Sequence, residues 1–287
     1  MAVAIGRGDA TVSRNLARSL YYRARVNAWL GRGERARALC EAALGCGDYS
    51  KAHKLLSALE LPGEDYFRLL ARIHAYLRPR TYVEIGVDQG RSFEIVGADT
   101  LTLGIDPNPR IRRPLTPRQK VYAQTSDDFF ASHDVRAELG GQAVELAFID
   151  GMHQMEFALR DFINLERCCT PRSIILIHDV YPIDAKSAAR ERQSSFWSGD
   201  IWRLILILKK HRPDLLLHTI GTGPTGLALV QKLDPSSTHL GSHYQQVVEE
   251  VMALDLSALD GRKKQMLNFL PNDWAAIRAQ LDRSAAL

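Results

Sequence analysis

Cysteine is scarce in this 287-residue chain: Cys40, Cys46, Cys168 and Cys169 are the only four, and none stands in a C-x-x-C pair. That excludes a disulfide-stapled scaffold or a zinc ribbon. Adjacent Cys168 and Cys169 are poor disulfide partners for each other, so all four are expected as reduced, buried thiols. Long apolar runs are missing too. The longest, such as Leu204 to Leu208, fall far short of the roughly 20 residues a membrane-spanning helix needs. The segment Met1 to Arg7 lacks the charged flank and the apolar core of about 7–15 residues that mark a secretory signal, so a cytoplasmic location is the default expectation. A strong charge of one sign is also absent. The net charge is +4, although the first 60 residues carry ten Lys/Arg against five Asp/Glu. Solvated arginines on helices account for that excess more simply than base readout does. Neither nucleic acid nor membrane is expected as a partner.

The dinucleotide fingerprint G-x-G-x-x-G is absent as well. Only Gly86 and Gly90 occur in the one suitable turn, with three residues between them, which disfavours NAD. Gly221 to Gly226 resembles a phosphate loop only superficially, because Leu227 stands where lysine is required. It reads as a turn between strands.

With 46% apolar and 24% charged residues, the chain can bury a sizeable core. Residues 1–77 read as a helical amino-terminal region with helices at Arg14 to Leu30, Glu34 to Leu44, Tyr49 to Leu59 and Asp65 to Leu77. The middle pair resembles one tetratricopeptide-like hairpin, with small residues at Ala38, Ala42 and Ala52. One hairpin does not make a solenoid, so a cap on the main domain is preferred over a partner-binding module. Residues 78–235 alternate strands and helices, with apolar strands at Tyr82 to Ile85, Leu101 to Ile105, Leu146 to Ile149, Ile174 to Ile177 and Leu227 to Val230, and a helix at Arg91 to Val96. Runs that are apolar throughout mark strands covered on both faces. The expected fold is α/β, a doubly wound Rossmann-like sheet with an amino-terminal helical cap and, over 236–287, carboxy-terminal helices.

Two places carry chemistry. In the first, Tyr82-Val83-Glu84-Ile85 runs into the turn Gly86-Val87-Asp88-Gln89-Gly90, and a second strand ends at Asp106, 22 residues after Glu84. Glycine permits a positive φ and a close backbone approach to a ligand, and a carboxylate at that spacing suits ribose hydroxyls in nucleotide-binding βαβ units. In the second, two strands end in acid: Ile149 leads into Asp150-Gly151-Met152-His153, and Ile177 leads through His178 into Asp179. Ligands of open α/β sheets bind outside the carboxyl ends of strands, and neighbouring strands lie about 4.8 Å apart. Asp150 and Asp179 are thus placed to share a cation, with His153 to accept a proton.

These motifs, with Arg91-Ser92, Gly104-Ile105-Asp106, Glu156, Asp161 and Trp197 to Trp202, resemble those of class I S-adenosylmethionine-dependent methyltransferases. Within that class they are most similar to the branch of macrocin-type sugar O-methyltransferases. The likeness covers roughly residues 80 to 232. It implies S-adenosylmethionine as cofactor, with Glu84, Gly86 and Gly90 at its methionine end, Asp106 at its ribose, and Ser126 and Asp127 near its adenine. It further implies His153 and Asp150 as the catalytic pair, and Asp150, His178 and Asp179 around Mg²⁺ or Mn²⁺. The chain departs from the branch at His178, where an acidic ligand is usual. Imidazole is a poor partner for Mg²⁺, so a metal-free mechanism stays open. The acceptor would be a small molecule, a sugar or specialised metabolite, with Phe196, Trp197 and Trp202 as a candidate wall. A homo-oligomer is compatible with the sequence. Two alternatives remain: a hydroxylase of the cephalosporin-hydroxylase type using iron on His153, His178 and one aspartate, and a non-catalytic binding scaffold.

Overall fold

The computed structural model describes residues 7–285; residues 1–6, most of the stretch read for a secretory signal, lie outside the described residues. Four helices open the chain: α1 (Arg7–Trp29), α2 (Gly33–Gly45), α3 (Ser50–Glu60) and α4 (Tyr66–Leu77). The sheet strands follow as β1 (Thr81–Ile85), β2 (Leu101–Ile105), β3 (Gln119–Tyr122), β4 (Leu146–Ile149), β5 (Ile174–His178), β6 (Leu216–Ile220), β7 (Leu227–Gln231) and β8 (Phe269–Leu270). Between and after them lie α5 (Ser126–Ser132), α6 (Val135–Glu138), α7 (Met155–Cys168), α8 (Trp202–His211), α9 (His239–Ser242), α10 (Tyr244–Met252), α11 (Lys263–Met266) and α12 (Trp274–Ala285).

The eight strands form one sheet in the order β3-β2-β1-β4-β5-β7-β6-β8. Strands β1 to β5 pair in parallel, while β7 runs antiparallel to both β5 and β6. Chain order reverses between β1 and β4, and that topological switch point opens a crevice at the carboxyl ends of the strands. The sheet is apolar on both faces, as expected for strands covered twice. Val83, Ile85, Ala147, Ile149, Ile175 and Ile177 face α7 and α8. Tyr82, Leu146, Phe148, Ile174 and Leu176 face Leu69, Leu70 and Ile73 of α4 and Ile277 and Leu281 of α12. The fold is therefore the doubly wound α/β architecture with helices at both ends.

Several local expectations change. The helix expected over Arg91 to Val96 is a single 3₁₀ turn, Ser92–Ile95. Gly90 and Gly97 bracket it, Ser92 donates to Glu84, and Phe93 packs where Gly104 lacks a side chain. In the α2–α3 hairpin the buried small residues are Ala36, Ala43 and Ala52, whereas Ala38 and Ala42 face solvent. The four cysteines are free thiols, but only Cys40 and Cys169 are fully buried. Gly221 to Gly226 is indeed the connection between β6 and β7.

The helical region is tied to the segment after β5 and to the β6–β7 connection. His53 of α3 lies 2.8 Å from Asp184, Ser57 donates to the Pro224 carbonyl at 2.6 Å, and Tyr181 donates to Glu60 at 2.9 Å. These contacts fix Tyr181 and Asp184, just after β5, and Pro224, before β7, against α3.

Candidate active site

A cleft of about 880 Å³ opens at the switch point, between the ends of β1, β2, β4 and β5. It is lined by Glu84, Gly86, Asp106, Ser126, Asp127, Asp150, His153, His178 and Asp179, so nine of the ten expected site residues meet there. The tenth, Gly90, closes the turn instead: its φ is 73°, and its N–H donates to the Val87 carbonyl at 2.9 Å.

Gly86 shows why the turn excludes a side chain. Its φ is 92°, and a Cβ there would stand 2.0 Å from the Asp150 carbonyl oxygen. The ends of β1 and β4 thus touch through backbone, leaving a cradle for a ligand. Glu84 is 1% exposed and accepts hydrogen bonds from Tyr82 at 2.8 Å and from Ser92. Burial, only partly offset by those two donors, pushes its pKa up to about 8. Asp106 accepts from the backbone N–H groups of Asp88 at 2.8 Å and Asn108 at 2.7 Å. A carboxylate oxygen has two lone pairs, so each Asp106 oxygen retains one for a hydroxyl.

Asp127 is engaged otherwise: Arg160 donates to its two oxygens at 2.8 and 2.6 Å. Beside it Asp161 is 3% exposed, lines the same cleft and has one oxygen without a partner. Burial raises its pKa to about 7, against the opposing influence of Ser126.

At the reaction corner four ionisable side chains converge. Asp179 Oδ2 lies 2.6 Å from His153 Nδ1. That nitrogen has no aligned hydrogen-bond partner, so the contact is an ion pair rather than a directed hydrogen bond. His178 Nδ1 is 3.1 Å from Asp150 Oδ1 and 3.6 Å from Asp179 Oδ1. Thr225, from the β6–β7 turn, also donates to Asp179. Burial disfavours the His153 imidazolium, but the Asp179 and Asp150 carboxylates outweigh it and hold the pKa at about 9. The same balance raises His178. Asp179 is fully enclosed, which favours its neutral form, yet His178 and His153 overcome that and keep it below the usual carboxylate range.

This balance has a sign. His153 titrates above the ordinary imidazole value of about 6.5, so its pairing contributes stability in full below that pH and loses it as pH rises through about 9. We expect the urea midpoint to fall between roughly pH 7 and pH 10, and to fall less in His153→Gln. Equal decline in both proteins would show that another group controls it.

A single water-sized cavity of about 10 Å³ lies beneath the corner, among Asp150, His153, Asp161, His178 and Asp179. The donor atoms lying within 4.8 Å of one another belong to Asp150, His153 and Asp179. His178, expected in that set, lies outside it, though its Nδ1 approaches both aspartates; its ring stacks under Tyr66 with centroids 3.9 Å apart. Two carboxylates and an imidazole suit a transition metal such as Mn²⁺ better than Mg²⁺, so the residues fit a divalent ion.

Gly199 and Asp200 position His153, and sequence reasoning missed both roles. His153 has φ 58°, a left-handed conformation uncommon for a residue with a side chain. Asp200, wholly buried, accepts from the Met155 N–H at 2.8 Å, capping α7 where Gln154 supplies no side-chain cap. Its own N–H reaches the His153 carbonyl at 3.3 Å. At Gly199, φ 64°, a Cβ would sit 1.7 Å from that carbonyl oxygen. Gly199→Ala is therefore expected to cost at least about 1–2 kcal/mol from backbone conformation alone and to displace His153. A melting curve within a degree of the native protein would contradict this. The signal was the Trp197 to Trp202 stretch, but its pairing with the 150–153 loop lies 45 residues away in sequence. Tyr66 and Thr225 gave no local signal at all.

Trp197 stacks on His153 with centroids 5.2 Å apart and lines the cleft with Phe196. Trp202 does not: it is 1% exposed and belongs to the core.

Residues 83–180 match the family of methyltransferase domains, about a third of the chain, from β1 to just past β5. No curated protein sequence matches. Among solved structures, the chain is similar to cofactor-bound Rv0187 from MTB, at 19% identity and TM-score 0.46, over 63% of this chain and 88% of that one. It is also similar to the O-methyltransferase TomG of Streptomyces achromogenes in complex with SAM, at 15% identity and TM-score 0.45, over 58% and 79%. A third is the SAH-bound methyltransferase PaMTH1 of Podospora anserina, at 13% identity and TM-score 0.47, over 71% and 96%. At these scores the strand order, not the likeness, carries the fold assignment. The matched segment from Val83 to Val180 holds both the glycine turn and the acidic, histidine-bearing corner.

Proposed function

We propose that the protein is an S-adenosylmethionine-dependent O-methyltransferase acting on a hydroxyl of a small molecule, a sugar or specialised metabolite. The observation that carries this reading is the single cleft joining the Gly86 cradle and Asp106 to His153, Asp150 and Asp179. When bound, S-adenosylmethionine supplies an electrophilic methyl group. The chain's own tasks are to hold the acceptor oxygen in line, which supplies much of the rate, and to remove its proton. Gly86 gives the close approach, Asp106 offers lone pairs to ribose hydroxyls, and Trp197 presents an aromatic face beside His153.

His153 is the base in this reading. Asp179 orients its ring and stabilises the imidazolium formed when the acceptor proton arrives. With its pKa at about 9, the ring is mostly protonated at neutral pH and must first release that proton. A divalent ion held by Asp150, Asp179 and an imidazole would acidify a coordinated hydroxyl. His153 can serve the proton or the ion, not both at once. The purine end would meet Ser126 and the buried Asp161, since Asp127 is engaged by Arg160.

The hydroxylase alternative requires two histidines and one carboxylate facing a common iron. Although His178 also approaches both aspartates, the donor atoms close enough together to share one ion belong to one histidine and two carboxylates, which disfavours it. An intact ionisable cluster likewise disfavours a scaffold that has lost its chemistry.

Calorimetric titration with S-adenosylmethionine, with and without Mg²⁺ or Mn²⁺, tests the reading. Binding in the micromolar range is expected, weakened at least about tenfold in Asp106→Ala, the loss of about 1.4 kcal/mol of hydrogen bonding. No binding under any metal condition would overturn the proposal.

A further inference from the structure

Helix α1 is apolar on two sides. Ala17 and Ala24, 3% and 0% exposed, pack inward, as a helix within a bundle requires. On the outer side Val12, Leu16, Tyr22, Val26 and Trp29, with Leu30 in the turn just past the helix, are 68, 51, 45, 56, 84 and 46% exposed. Their spacing puts them along one face, and the described residues offer nothing that covers it. Isolated exposed apolar residues are ordinary, but this many on one side of a helix, with only Asn15, Ser19 and Arg23 exposed among them, mark an interaction surface.

The surrounding charges select the partner. Arg14, Arg18 and Arg25 are exposed along one flank of the stripe, and Arg23 lies within it. Arg18 and Arg25 lean over Tyr22 and Tyr21 at 5.8 and 5.9 Å. Pairing α1 with a second copy would bury Arg23 without a counter-charge and bring cationic surfaces together, both unfavourable. A lipid surface removes both objections. A long cationic side chain can keep its stem on apolar surface while its head reaches the polar layer, and anionic headgroups attract the arginines. Tyr and Trp favour the same boundary.

We propose that α1 docks this protein on an anionic lipid surface, with Val12, Leu16, Tyr22, Val26, Trp29 and Leu30 turned into the headgroup boundary. It lies on the bilayer and does not cross it, since no described helix is long and apolar enough to span one. This revises the expectation that no membrane is a partner. The sequence shows the arginines, but only the packing of α1 shows which apolar residues are left outside. The inference does not depend on the methyltransferase reading.

The test is sedimentation of the full chain with vesicles of equimolar phosphatidylcholine and phosphatidylglycerol, beside vesicles of phosphatidylcholine alone. Binding is expected to be at least about tenfold stronger to the anionic vesicles and to weaken with salt. It should be lost in Val26→Asp, whose unchanged melting curve would show the fold intact. Equal or absent binding to both vesicles would overturn the proposal, as would native-like binding by Val26→Asp. A concentration-dependent dimer abolished by Val26→Asp would overturn it in favour of a second copy.

Discussion

Asp179→Asn is expected to lower kcat/KM for methyl transfer by at least about a hundredfold, the lower bound for losing a positioned acid–base group. Cofactor affinity, which the proposed function assigns to the β1 turn and Asp106, should change by less than about threefold. The substitution is well matched to the site. Asp179 has φ 63°, a conformation asparagine tolerates better than most residues, and the Thr225 hydroxyl can still donate to the amide oxygen. What disappears is one buried negative charge 2.6 Å from His153. That carboxylate is the larger of the two influences holding the imidazole pKa at about 9, so the His153 titration should move toward lower pH. An NMR titration of the histidines beside the kinetics separates the possibilities. A slow enzyme with a shifted His153 is the expected pair of results. Unchanged turnover would remove Asp179 from the mechanism, and lost cofactor binding would show that the variant disturbs the cleft as a whole.

The second large effect is on stability and lies outside the cleft. Arg212, at the carboxyl end of α8, is 4% exposed and donates to Glu166 of α7 at 2.7 Å. Glu166, also 4% exposed, accepts in addition from the Asp234 N–H at 3.1 Å. Asp214 accepts from the other guanidinium nitrogens at 2.8 to 3.1 Å. Arg212→Met keeps most of the side-chain volume but leaves a buried carboxylate without its cation. Breaking such a pair costs about 3–5 kcal/mol, or roughly 6–15 °C in melting temperature for a chain of this size. Adding Glu166→Gln removes the stranded charge and should recover part of that loss. A single variant as stable as the native protein would mean water reaches Glu166. A double variant worse than the single would mean that the Asp234 contact, not the ion pair, dominates.

How much of this was legible in the sequence follows from where each residue sits. Strands β1, β2, β4, β5 and β7 announce themselves because both faces are buried and nearly every residue is apolar. Strand β3, Gln119-Lys120-Val121-Tyr122, lies at a sheet edge and is half exposed, so its composition carries no such signal. Strand β8 has two residues and exists only because β6 offers an edge. Strand β6 is interrupted by a half-buried His218 and was not recognised either.

At the site, sequence spacing marked the residue types that end the strands, Glu84, Asp106, Asp150 and Asp179, since a strand's carboxyl end must face the crevice of a doubly wound sheet. It also marked the fold class, because binary patterning is set one segment at a time. It did not decide which partner each group would have. That Asp127 is engaged by Arg160, that Asp161 is buried with a free oxygen, and that His178 meets both aspartates while His153 pairs with Asp179 depend on how β4, β5 and α7 pack. Asp200 capping α7 and Gly199 yielding space to His153 depend on contacts across 45 residues or more. Local propensity and patterning are properties of neighbours in the chain. Ionisation, capping and close approach are set by neighbours in space, so the scaffold and the site's inventory can be read from the chain alone, whereas protonation and pairing at the site arise only when β4, β5 and α7 are packed together.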